Sequence, residues 1–120
     1  MKVKVRRVAR TRQHMLVTVV FSPRFLSRRE LHALCQEIRA YTRALRHRPL
    51  GRDVSSIRVM TCEGALVLNM LFKGAYHWRG AYREHHRAAK EIASRIQIVI
   101  QAFDRLCAMQ ETQPKGKHRR

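Results

Sequence analysis

The sequence predicts one α+β domain, a small antiparallel sheet with two helices on one face, in the order β-α-β-β-α. Three observations predict it. His14 to Phe21 is a short run rich in β-branched residues, as a strand requires. Ser27 and Glu30 form a capping box ahead of apolar residues at helical spacing. Val54 to Cys62 and Ala65 to Phe72 are two strand-like runs on either side of Glu63-Gly64, which is hairpin spacing. At 120 residues and 45% hydrophobic, the chain has the length of one domain and enough apolar side chain for its core.

The opening KVKVRRVARTRQ alternates loosely and carries six cations and no acid, so residues 1–12 read as a basic arm or an extra edge strand. Residues 13–110 form the domain. Its first strand ends at Ser22-Pro23, and its first helix carries Leu31, Leu34, Cys35, Ile38 and Leu45 on one side until Pro49, Gly51 and Asp53 stop it. After the hairpin, Lys73-Gly74 closes the second run, and a helix begins between Tyr76 and Ala81. Residues 94–103 support two readings. Ile96, Ile98 and Ile100 alternate with glutamines as in a strand, yet Ile92, Ile96, Val99, Ile100 and Phe103 also share a helical stripe. The absence of Gly, Pro, Asn and Asp between Lys90 and Gln101 favours a continuous helix. A closing strand would instead complete the split βαβ arrangement of a ferredoxin-like fold. Residues 111–120 read as a basic, disordered tail.

Charge narrows the function. Twenty-six Lys and Arg against eight Asp and Glu give +18, and removing the ten cations of the two ends still leaves +8 on the body. Such a field argues for a polyanionic partner, and phosphate backbones are the commonest. Arg6, Arg7, Arg10 and Arg12 supply cations from the arm. On the first helix, Arg28, His32, Arg39, Arg43 and Arg46 fall within a narrow arc, and like charges at i, i+4 cost stability unless an anion offsets them. A second cluster comprises Lys73, Tyr76, Arg79, Arg83, His86, Arg87 and Lys90, with Trp78 and Tyr82 among them. Aromatics between arginines suit looped or single-stranded RNA, whose bases stack on rings and guanidinium planes. Tyr76, beside Gly74, is the better stacking candidate, and Trp78 is expected to pack over the sheet edge, as Tyr82 could also do.

Catalysis is not indicated. Adjacent His85 and His86 point about 100° apart on a helix and cannot share one metal. There is no HExxH, no GxxxxGK[ST] and no GxGxxG, so no metal, nucleotide or other cofactor is expected. A metal-independent ribonuclease would have to bring two groups such as His77 and His85 to one phosphate. Three cysteines without CxxC spacing argue for a reducing compartment, hence a cytoplasmic or nuclear location. A mitochondrial presequence is the alternative, since the first acid is Glu30. The run Met15–Phe21 is too short to span a bilayer, so no membrane partner is expected.

Arg-Thr-Arg-Gln-His before the first strand, Leu26-Ser27-Arg28-Arg29-Glu30-Leu31 at the helix start and the Lys73-Gly74-Ala75-Tyr76 step together resemble the small ferredoxin-like protein subunits of archaeal and eukaryotic ribonuclease P, over residues 11 to 103. The resemblance implies a non-catalytic subunit, often paired with a similar protein, that steadies a catalytic RNA. The leading expectation is therefore an RNA-binding subunit of a ribonucleoprotein that contacts phosphate through its Arg-rich helix faces and arms. Two alternatives stand beside it: a DNA-binding accessory protein of a mobile element, homodimeric through the long second helix, and an interaction module for an acidic protein surface.

Overall fold

The computed structural model describes residues 1–45, 47, 54–74, 76 and 79–112, with the backbone alone for 79, 111 and 112. Six elements follow one another: β1 (Lys2–Arg10), β2 (His14–Ser22), α1 (Arg28–Leu45), β3 (Val54–Cys62), β4 (Ala65–Lys73) and α2 (Arg79–Thr112). The strands form one antiparallel sheet in the order β1-β2-β4-β3.

Period-two alternation sorts the sheet into two faces. Met15, Val17, Val19 and Phe21 of β2 stand directly opposite Phe72, Met70, Leu68 and Leu66 of β4, and all eight are buried. Cross-strand apolar pairs of this kind are the unit of sheet stability. Leu31, Leu34, Cys35, Ile38 and Leu45 of α1 and Ala89, Ile92, Ile96 and Ile100 of α2 complete this core. The expected α+β architecture, with two helices on one face, is the observed one.

Residues 94–103 are helical. A strand would have set Ile98 on the same face as Ile96 and Ile100; the helix buries those two completely and leaves Ile98 67% exposed. The closing position of the sheet is filled from the other end of the chain. Residues 2–10 are not an arm but an outer strand paired along β2, which takes the place a closing strand has in a ferredoxin-like sheet. The two strands are joined by a tight turn in which Thr11 Oγ1 accepts from the His14 N–H (3.0 Å). Arg6 is the extra residue of a bulge between Val5, opposite Val19, and Arg7, opposite Thr18. The expected tail at 113–120 lies outside the described residues, and α2 reaches Thr112.

Three local devices fix the connections. Ser27 Oγ accepts from the Glu30 N–H (3.1 Å) while Glu30 Oε1 accepts from the Ser27 N–H (2.8 Å), the capping box read in the sequence. Donation to its carboxyl from the Ser27 N–H, and then from the Ser27 hydroxyl, holds Glu30 below its usual value. Glu63 and Gly64 both have positive φ, 50° and 82°, the backbone of a type I′ hairpin turn. The third device is Asp104, deep on α2 at 5% exposure. Its carboxylate accepts the backbone N–H groups of Arg24 (3.0 Å), Phe25 (2.7 Å) and Leu26 (3.1 Å), tying the loop before α1 to the far helix. Burial pushes this carboxyl up, but the three N–H groups and the N-terminal ammonium outweigh it and the net shift is downward.

Candidate nucleic-acid interface

The hydrogen bonds around the β1–β2 turn explain how distant cations meet. The backbone carbonyls of Arg12 and Gln13 accept the N–H groups of Tyr76 (2.8 Å) and Gly74 (3.0 Å), so the segment before α2 is strapped to that turn. Gly74 suits the close approach, since a Cβ there would press on the His85 ring at 3.0 Å and on the Tyr76 ring at 3.2 Å. An aromatic column then rises from the core. Phe72 stacks on His85 (5.3 Å between centroids), and His85 Nδ1 is hydrogen-bonded to the Tyr76 hydroxyl at 2.6 Å. Tyr76 meets Tyr82 edge to face, and the Arg10 guanidinium lies 4.6 Å over the Tyr82 ring.

That last contact joins β1 to α2. Arg10 comes to the surface beside Tyr82, Arg83, His86, Arg87 and Lys90, which line a shallow hollow of about 260 Å³. Arg83, Arg87 and Lys90 are exposed, while Tyr82 and His86 are half-buried. The hollow presents a ring and a cation layer on a base fixed by the column beneath it.

The other expected residues fall into separate places. Arg6 and Arg7 line a trough of about 530 Å³ on the sheet face away from the helices, together with Leu16, Thr18, Met60 and Asn69. At its floor the Thr18 hydroxyl donates to Asn69 Oδ1 (2.6 Å). Arg39 and Arg43 line a groove against β3, at the opposite edge of the sheet from β1. Three strand spacings separate the two edges, roughly 14 Å. Arg12, Arg28, His32 and Lys73 are exposed individually, and Arg46 and the side chain of Arg79 lie outside the described residues, as do His77 and Trp78.

Two readings need correction. Tyr76 is not a stacking surface: it is 5% exposed, and its hydroxyl is held by His85, so the glycine beside it serves packing and not access. Tyr82 is the ring that reaches the basic surface. Arg39 is half-buried, and its Nε donates to the Val59 carbonyl (2.8 Å), which occupies part of its guanidinium in tying α1 to the edge strand. One residue was missed. Arg58 sits exposed on β3 next to Arg39 and Arg43. The signal was its alternation with Ile57 and Val59, which face the core side.

Among the described residues no three His, Cys, Asp or Glu side chains gather as a metal site. His85, one of the pair considered for phosphate cleavage, is 7% exposed inside the aromatic column. No described helix is long and apolar enough to cross a membrane. Comparison with protein-family models, curated proteins and solved structures yields no match.

Proposed function

We propose that this chain is a non-catalytic RNA-binding protein that acts as a subunit of a ribonucleoprotein. One observation carries the reading: Arg10 of β1 lies over the Tyr82 ring, beside Arg83, Arg87 and Lys90 of α2, so a cation from each element borders one half-buried aromatic ring. Clustered cations release counterions from a phosphate backbone, and a ring among them offers a stacking platform for an unpaired base. That combination favours looped RNA over a DNA duplex, whose bases are already stacked. The trough holding Arg6 and Arg7 and the groove holding Arg39, Arg43 and Arg58 extend the phosphate track to the uncovered sheet face and the far edge. The resemblance to ribonuclease P subunits supports a structured, catalytic RNA as the partner class.

The test is a titration of the purified protein with structured RNA and with duplex DNA of matched length, from about 50 to 300 mM salt. Structured RNA is expected to keep its advantage at the upper end. Replacing Arg83, Arg87 and Lys90 by alanine together removes three contacts and is expected to flatten the log–log salt slope by about 2, at roughly 0.7 per single-stranded phosphate. Background binding of both polymers at about 150 mM salt, or an unchanged slope in the triple variant, defeats the reading.

A further inference from the structure

α2 outruns the sheet. Its 34 residues extend about 51 Å, against about 30 Å for a nine-residue strand. Ile96, Ile100 and Asp104 keep its inner side on the core. Round the cylinder from them, Val99, Ala102 and Leu106 recur at intervals of three and four, the spacing of a helix–helix seam. Ile98 and Phe103 flank that seam. Val99 is 37% exposed, Phe103 47%, Leu106 53% and Ile98 67%.

We propose that this stripe is a twofold interface between two copies of the chain. Charge chooses the occupant. Between Ile96 and Gln110 the only Lys, Arg, Asp or Glu residues are the buried Asp104 and the exposed Arg105, on a chain of net charge +18. The exposed Arg95, one turn before Val99 and paired with Glu91 (3.9 Å), marks the N-terminal limit of the stripe; from Val99 to Leu106 the stripe carries no cation, so two strongly cationic chains meet there with least repulsion. Its flanks are also complementary to each other. On the side toward α1, Glu30 and Glu37 line an apolar groove of about 350 Å³ with Leu26, Leu34 and Phe103. Glu30 reaches the level of Cys107, whose thiol donates to it at 3.6 Å. Arg105 projects on the far side of the stripe, one helical step from Leu106. A twofold axis running along α2 sets Arg105 of each copy toward Glu30 and Glu37 of the other, as an isologous contact requires.

The exposed side chains of the stripe amount to roughly 400 Å² per copy, about half of the ~800 Å² that each partner gives to a standard interface, so a contact of standard size has to take in the α1 groove and the charged flanks as well. Residues 113–120, QPKGKHRR, contain no large apolar side chain that could lie on the stripe.

Sedimentation equilibrium of nuclease-treated protein tests this, at about 300 mM salt to suppress bridging by residual RNA. A mass of twice the 14.2 kDa chain is expected at micromolar concentration. Leu106→Glu is expected to weaken the dimer about 100-fold or more with unchanged circular dichroism, because the side chain is half exposed in the single chain. Arg105→Glu is expected to weaken it about 10-fold, and adding Glu37→Arg to restore it. A monomer at about 100 μM, a dimer indifferent to Leu106→Glu, or a charge swap that fails to restore association each overturns the proposal.

Discussion

Replacing Asp104 by alanine removes the acceptor of three backbone hydrogen bonds and leaves the N–H groups of Arg24, Phe25 and Leu26 without it. The bonds are 2.7–3.1 Å long, but three donors share two carboxylate oxygens, Phe25 and Leu26 both on Oδ1, so each is counted as an ordinary hydrogen bond. At about 1 kcal/mol net for each, the loss is about 3 kcal/mol. For a chain of this length that lowers Tm by about 12 °C. Asp104→Asn keeps one oxygen without the charge, and is expected to lose about half as much. The pH dependence has a definite sign. The folded carboxyl lies below its usual value, so its contribution is complete above about pH 4, the unfolded value. It is lost as pH falls through that value and then through the lower folded one. Urea denaturation followed by circular dichroism, for both proteins at pH 7 and at about pH 3, measures this; Glu30, also held below its usual value, is common to both and cancels. A gap between wild type and Asp104→Asn that is full at neutral pH and narrows in acid is expected. If Asp104→Ala stays within about 0.5 kcal/mol of wild type, the tie between the α1 loop and α2 is not the anchor described.

Further outcomes are expected. Tyr76→Phe removes the hydroxyl bonded to His85 and costs about 1–2 kcal/mol of stability by thermal melting, with RNA affinity unchanged because the ring is buried. Tyr82→Leu does the reverse: filter binding should show a several-fold weaker RNA complex, equivalent to about 1–2 kcal/mol, with a near-normal melt. Glu63→Asn places a residue that tolerates positive φ at the first turn position and should stabilise the hairpin by about 0.5 kcal/mol, read as a higher urea midpoint. Arg39→Met deletes the bond to the Val59 carbonyl and should cost about 1 kcal/mol by the same measurement.

How far the sequence reveals this molecule depends on the range of the interactions that decide each part. β2, α1 and the β3–β4 hairpin were legible because their signals are local: β-branched runs, the Ser27–Glu30 box and a turn at Glu63-Gly64. β1 was only half legible. Its alternation of Val with Lys and Arg is that of an edge strand, yet its valines stay exposed, so its place is set by backbone pairing with β2 and not by burial of its own side chains. The isoleucine run at 96–100 satisfied both periods, and burial of Ile92, Ile96 and Ile100 against the sheet chose the helical one. The cations were legible as a class, but not their grouping. Arg10 and Tyr82 are neighbours through the strapped turn, a contact no spacing encodes, whereas Tyr76 was misread because a residue next to a glycine looks exposed until the buried His85 is known.

The sequence separation of the Asp104 tie also bears on when contacts can form during synthesis. β1 and β2 can zip as soon as the three-residue turn between them is made, since their contacts are local. The loop at 24–26 must instead wait for a carboxylate nearly eighty residues downstream. Until then the N-terminal hairpin has no helix over its apolar face, and the lysines and arginines of β1 disfavour pairing between nascent chains along that one edge.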